Sequence, residues 1–159
     1  MIQPQTLEIR NGEKIPAIFS KKEMDNRLQA IRSLMEEQKL DGILFTSFHN
    51  INYFDHFLYT AFGRNYGLVV TRDRICSVTA NIDGGQPWRR GVGENLIYTD
   101  WQRDNFFAAV QELLKRSQKV GVEYDHLSLQ NPENKMSKSD ENLNNFIALL
   151  DDEDSIIRK

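Results

Sequence analysis

The chain has 159 residues, enough for one domain that buries roughly two-thirds of its unfolded surface without a disulfide or metal staple. Its 20 Lys and Arg against 23 Asp and Glu leave a formal charge of -3, which offers no basic field to gather phosphates, so nucleic acid is not an expected partner. No run approaches the ~20 apolar residues of a membrane span, and Met1 to Thr6 carries neither a basic region nor an apolar core, so the expectation is a cytoplasmic protein without membrane contact.

The first residues form an extended leader that contains the turn-prone pair Asn11-Gly12. Ser20 with Glu23 makes a capping box, and Met24, Leu28, Ile31, Leu34 and Met35 fall on one helical face, which predicts a helix ending near Lys39. Asp41-Gly42 then introduces a strand, Ile43 to Thr46. From Asn50 to Tyr59, Ile51, Tyr53, Phe54, Phe57 and Leu58 stand at helical offsets and predict a short helix with an inward aromatic face. Gly67 to Thr71 and Ile75 to Thr79, joined by Arg72-Asp73-Arg74, predict an antiparallel hairpin. Asn95 to Thr99 reads as a strand, and a helix follows Asp100 or Asp104 with Phe106, Phe107, Val110, Leu113 and Leu114 as its buried stripe. Val120 to Glu123 closes this part as a short strand. The fold class is therefore α/β, a mixed β-sheet with helices packed on it.

Few side chains suggest chemistry. Cys76 is the only cysteine and lies in a strand-like run, where it reads as a buried small hydrophobe. His49 and His56 are seven residues apart and His126 is isolated, a pattern that fits structural or surface histidines and no metal site. Two stretches read as loops, Phe62 to Gly67 and Asn81 to Arg90, and each sets an Arg beside an aromatic residue. Guanidinium pairs bidentately with carboxylate, so such a loop is suited to carboxylate recognition. Taken alone, Arg64 also fits a solvated surface charge, and Arg89 and Arg90 fit structural or interfacial roles.

Four strings go further: Thr46-Ser47-Phe48-His49-Asn50-Ile51-Asn52-Tyr53, Phe62-Gly63-Arg64, Asp83-Gly84-Gly85-Gln86-Pro87-Trp88-Arg89-Arg90 and Tyr98-Thr99-Asp100-Trp101-Gln102-Arg103-Asp104-Asn105. Together they resemble the N-terminal domain of the creatinase (creatine amidinohydrolase) family, over residues 1–130. The resemblance implies a creatinase/prolidase N-terminal type of α/β domain ahead of a larger "pita-bread" domain, whose histidine acts as general acid and base. It implies a homodimer that converts creatine and water to sarcosine and urea with no cofactor and no catalytic metal. It also implies that Phe62 and Arg64 reach the active site of the neighbouring subunit, Arg64 to pair with the substrate carboxylate and Phe62 to wall the pocket against water. Metal-dependent Xaa-Pro peptidases share the architecture and are the alternative, although the Phe-Gly-Arg and Pro-Trp-Arg-Arg strings resemble creatinase.

After Gln130 the character changes. Lys135-Met136-Ser137-Lys138-Ser139, with Asp140-Glu141-Asn142-Leu143-Asn144-Asn145 behind it, resembles the signature segment of bacterial tryptophanyl-tRNA synthetases. In that family the two lysines steady ATP phosphates, which makes Lys135 and Lys138 a candidate phosphate-binding remnant, without the nucleotide-binding core that ATP chemistry requires. Residues 131–159 are expected to form a loop and then a helix capped by Ser139, with Leu143, Phe146, Ile147 and Leu150 packing on the same domain. The combined expectation is a creatinase-type domain fused to a foreign tail, separated from its catalytic domain and inactive alone. Its partners would be a second copy of itself or a catalytic chain encoded separately.

Overall fold

The computed structural model describes residues 6–58, 64–99, 105–123 and 146–148. Seven strands form one mixed sheet in the order β1-β5-β4-β3-β2-β6-β7. They are β1 (Thr6–Glu8), β2 (Gly42–Phe45), β3 (Gly67–Thr71), β4 (Ile75–Ala80), β5 (Glu94–Tyr98), β6 (Val120–Val122) and β7 (Phe146–Ala148). Among the described residues four α-helices accompany them: α1 (Lys21–Glu37), α2 (Phe48–Asp55), α3 (Gln86–Arg90) and α4 (Asn105–Leu114). The expected mixed α/β architecture is what the chain adopts.

Alternation along the central strands sorts the core into two layers, because successive strand side chains point to opposite faces. Ile43 and Phe45 of β2 with Leu68 and Val70 of β3 pack beneath α1 and α2, through Leu28, Ile31, Met35, Ile51 and Phe54. Leu44, Val69, Cys76, Val78, Leu96 and Tyr98 face the other way, onto Phe106, Ala109 and Val110 of α4. Cys76 is thus a buried member of the core, as its strand-like setting suggests, and burial pushes its thiol up to about 12.

The α1 helix starts where the capping box places it, with the Ser20 hydroxyl accepting from the Glu23 backbone N–H at 3.2 Å. It stops at Glu37, and Lys39, at φ 54°, makes the left-handed turn that the sequence reading assigns to Asp41-Gly42. Leu34 on the expected apolar stripe is exposed.

Several expectations need correction. The short aromatic helix begins at Phe48 rather than Asn50, because Ser47 caps it by accepting from Asn50 N–H. Of its expected inward face, Tyr53 and Leu58 lie at the surface. The Asn81 to Arg90 stretch is not a loop. It forms a 3-10 turn at Asn81–Asp83 and then α3, where Gly85 supplies φ 90° before the helix and Pro87 presets its first turn. The leader contributes β1, paired antiparallel to β5 with Thr6 opposite Tyr98.

The helix expected across Phe146 and Ile147 is overturned: Phe146–Ala148 is a strand, parallel to β6, with Val120 opposite Phe146. Aromatic and β-branched residues suit a ladder, and this strand satisfies the backbone groups along the outer edge of β6. The rest of the expected tail helix, including Ser139, Leu143 and Leu150, lies outside the described residues.

Candidate functional site

Strand direction gathers the informative loops. β3 runs antiparallel to β2 and β4, β4 is parallel to β5, and β2 is parallel to β6. The carboxyl ends of β2, β4, β5 and β6 and the amino end of β3 therefore share one edge of the sheet. Phe45 stands opposite Leu68, Gly67 opposite Val78, and Ala80 opposite Tyr98. The Thr46, Arg64, Asn81 and Thr99 segments all leave from this edge. In open α/β sheets the crevice outside the carboxyl ends is where ligands bind.

Arg64 lies three residues before β3 starts at Gly67, and its Nε is 3.5 Å from Oδ2 of Asp83 in the 3-10 turn that follows β4. Both side chains are largely covered, at 18% and 22% exposure, so the guanidinium is a held group and not a solvated surface charge. The backbone beside it is anchored as well. Tyr98, in the core, donates its hydroxyl to the Asn65 carbonyl at 2.7 Å, and Tyr66 packs on Phe57 with ring centroids 5.9 Å apart. Ile82, on the same turn as Asp83, is 74% exposed. The second residue expected to act with Arg64, Phe62, lies outside the described residues, as do Lys135 and Lys138.

Farther along the edge, Glu123 follows β6 and turns back to the start of α2. Its carboxylate accepts from Thr46 N–H at 2.5 Å, Ser47 N–H at 2.7 Å, the Ser47 hydroxyl at 2.7 Å and the Asn50 amide. Burial opposes its ionisation, but the donors of Ser47, Thr46 and Asn50 outweigh that and hold the carboxyl below its usual range. Glu123 thereby ties α2 to the sheet, with its negative charge at the positive end of the helix. Sequence reasoning saw Val120 to Glu123 only as a strand, and a carboxylate continuing a buried strand was the available signal.

Of the other residues singled out from sequence, His56 and Arg89 hold structure. His56 accepts from Ile18 N–H at 3.1 Å through Nε2. His49 is exposed against Phe48, with ring centroids 4.0 Å apart. Arg89 donates to the Asn11 side chain at 3.3 Å and its carbonyl accepts from Ile15 N–H at 2.6 Å, so it fastens the leader. Among the described residues no group of three His, Cys, Asp or Glu side chains could hold a metal ion, and no helix is long and apolar enough to cross a membrane. A recess of 380 Å³ beside Asp41, the β3–β4 turn and the end of α4 lies at the opposite edge of the sheet. Two of its cations are already matched, Arg72 with Asp41 at 3.5 Å and Arg74 with Glu94 at 2.5 Å, while Lys115 and Arg116 line it as well.

Comparison with known proteins agrees with this fold. A family model described as the Creatinase/Prolidase N-terminal domain matches residues 27–155. A creatinase from Bacillus sp. (strain B-0618) is 51% identical over 122 residues, which is 74% of this chain and 30% of that protein. The chain thus spans less than a third of that relative's length. The creatinase/prolidase N-terminal domain of an X-Pro dipeptidase from Streptococcus pyogenes superposes with a TM-score of 0.61 at 17% identity, covering 78% of this chain and 93% of that one. Xaa-Pro dipeptidase from Bacillus anthracis gives a TM-score of 0.58 at 24% identity, covering 79% of this chain and 33% of that one.

Proposed function

The chain belongs to the Creatinase/Prolidase N-terminal domain family, and from that premise we propose that it is the N-terminal domain of a creatinase-type amidinohydrolase. In this reading it contributes Arg64, with Phe62, to the recognition of creatine in a site completed by a catalytic domain of a neighbouring subunit. One observation carries the choice of creatine over a dipeptide. Identity to a creatinase is 51%, whereas the dipeptidase neighbours share the fold at 24% or less. A held guanidinium on the carboxyl edge of the sheet suits a small carboxylate substrate, and the exposed Ile82 beside it offers apolar contact.

The chemistry of hydrolysis belongs to the remainder of such an enzyme. What this domain supplies is orientation: fixing the carboxylate end of creatine sets the distance of its guanidino carbon from an acid–base group elsewhere. A single charge-assisted contact contributes about 1.5–3 kcal/mol, which corresponds to a Kd of about 6–80 mM. The domain alone is therefore a weak creatine binder and turns none over.

The test replaces the matched 122 residues of the Bacillus creatinase with the corresponding segment of this chain. A chimera that hydrolyses creatine, and loses at least tenfold in kcat/KM on Arg64→Ala, is the expected result. A folded chimera that leaves creatine intact but cleaves Xaa-Pro dipeptides would show the domain to be of the peptidase type.

A further inference from the structure

The Arg64 side chain is long and its charge is delocalised, so its worth as a carboxylate receptor depends on what fixes the plane of its fork. An unconstrained arginine gives up roughly 2 kcal/mol of rotamer freedom when a ligand orders it, about the size of the contact it gains. We propose that Asp83 is the positioning residue for Arg64: its carboxylate, on the turn after β4, orients the guanidinium before any substrate arrives. This rests on the reading of Arg64 as the creatine-carboxylate contact and adds the group that makes it selective for that end of the molecule.

Three observations support the assignment. Asp83 Oδ2 stands 3.5 Å from Arg64 Nε, an ion-pair contact outside hydrogen-bond geometry on the edge of the guanidinium nearest the side-chain stem, where a negative charge draws the cation toward the turn. The two side chains are 18% and 22% exposed, so the attraction is screened far less than in an open surface pair. Both backbones are themselves fixed. Asn65 is held by the Tyr98 hydroxyl at 2.7 Å, and the turn bearing Asp83 closes with Gly84 N–H donating to the Asn81 carbonyl at 2.9 Å. β3 and β4 are paired neighbours, so the two segments leave adjacent ends of one ladder. The pair thus bridges the ends of two neighbouring strands.

A competing role for the same contact is that Asp83 imitates the substrate and must be displaced. The two make opposite predictions, since a competitor lowers affinity while it is present and a positioner raises it.

The experiment uses the full chain, labelled for observation of the arginine Nε–Hε signals by NMR and titrated with creatine up to its solubility limit. N-Methylguanidine, which keeps the guanidinium end and lacks the carboxylate, serves as the control. In the unaltered protein the Arg64 signal is expected to be well ordered, to move with creatine and to ignore N-methylguanidine. Asp83→Asn should make the Arg64 guanidinium mobile and weaken the creatine midpoint at least fivefold, and Asp83→Glu should recover most of the loss. An Arg64 signal that stays ordered in Asp83→Asn, or a creatine midpoint that is unchanged or tighter in that variant, would overturn the positioning role. An ordered Arg64 in the unaltered chain that does not respond to creatine would overturn instead the substrate reading beneath it. Backbone spectra of both variants report folding, so a collapsed variant is recognised and the other supplies the result.

Discussion

Asp55, at the end of α2, allows a quantitative test of how the domain is held together. Its side chain is fully buried. Oδ1 accepts from Gly93 N–H at 2.7 Å, and its carbonyl accepts from Val92 N–H at 2.9 Å. Oδ2 has no hydrogen-bond partner among the described residues. Gly91 presses so close that a Cβ there would sit 2.6 Å from Oδ2. Lys14 lies near and donates its ammonium to the carbonyls of Trp88, Gly91 and Gly93 at 2.9, 2.9 and 2.7 Å. Burial dominates, however, and raises the Asp55 carboxyl to about 7 against the opposing pull of the Gly93 N–H and Lys14. The unfolded chain releases this proton near the ordinary value of 3.8. Between those values the folded state binds the extra proton, so stability falls as pH rises through the window and does not recover above it. A shift from 3.8 to about 7 at 1.36 kcal/mol per unit corresponds to about 4 kcal/mol in all. Asp55→Asn keeps the acceptor for Gly93 and removes the proton. Urea unfolding of both proteins between pH 4.5 and 8 should show the variant gaining on the parent by roughly 3 kcal/mol, most of it below pH 7. Parallel stability curves would mean that Asp55 is not a buried acid and that the contact with Gly91 and Gly93 is looser than described.

Two further outcomes follow from the same reasoning. Glu123→Gln presents an NH2 group to donors that now meet a carboxylate, and should cost about 3 kcal/mol at neutral pH by leaving at least one buried donor unmatched. Because the Glu123 carboxyl is held below its usual range, its contribution is complete above the unfolded value of 4.5 and declines as pH falls through the folded one, so the gap between variant and parent should narrow in acid. Cys76 should resist a disulfide reagent at pH 8 in the native protein and react fully in denaturant, since its thiol is buried and titrates at about 12; rapid native labelling would place it outside the core.

The helices and strands with strong local patterns were legible in the sequence. α1 has a capping box and an apolar stripe, and the β3–β4 hairpin has two apolar runs about a polar turn, so both emerge as read. What failed depended on partners distant in sequence. Phe146–Ala148 has apolar spacing compatible with a helix, but the outer edge of β6 supplies ladder hydrogen bonds that an isolated segment cannot count. α3 is a single turn-scale helix whose signal, Gly85 before Pro87, resembles a loop when read without the leader that Arg89 and Trp88 secure. At the site, an Arg beside aromatic residues was visible, whereas its pairing with Asp83 follows only from the strand order that brings the two turns together. Glu123 was hidden for the same reason, because its donors lie between β2 and α2 and on α2, far back in the chain.

The three-residue strand β1 has a further consequence, for solubility. Without it, the outer side of β5 would present an unpaired row of amides and carbonyls beside Leu96, Ile97 and Tyr98, a ready template for a strand from another molecule. β1 covers that row and is itself too short to serve as a template. Charge fastens β1 inward across the sheet: Arg10 bonds to Glu94 at 2.7 Å and to Glu8 at 3.3 Å, while Arg74 reaches both Glu8 and Glu94. An intruding strand would have to break these ion pairs and the β1 ladder to reach β5, so a strip of leader only three ladder residues long guards β5 against intermolecular pairing.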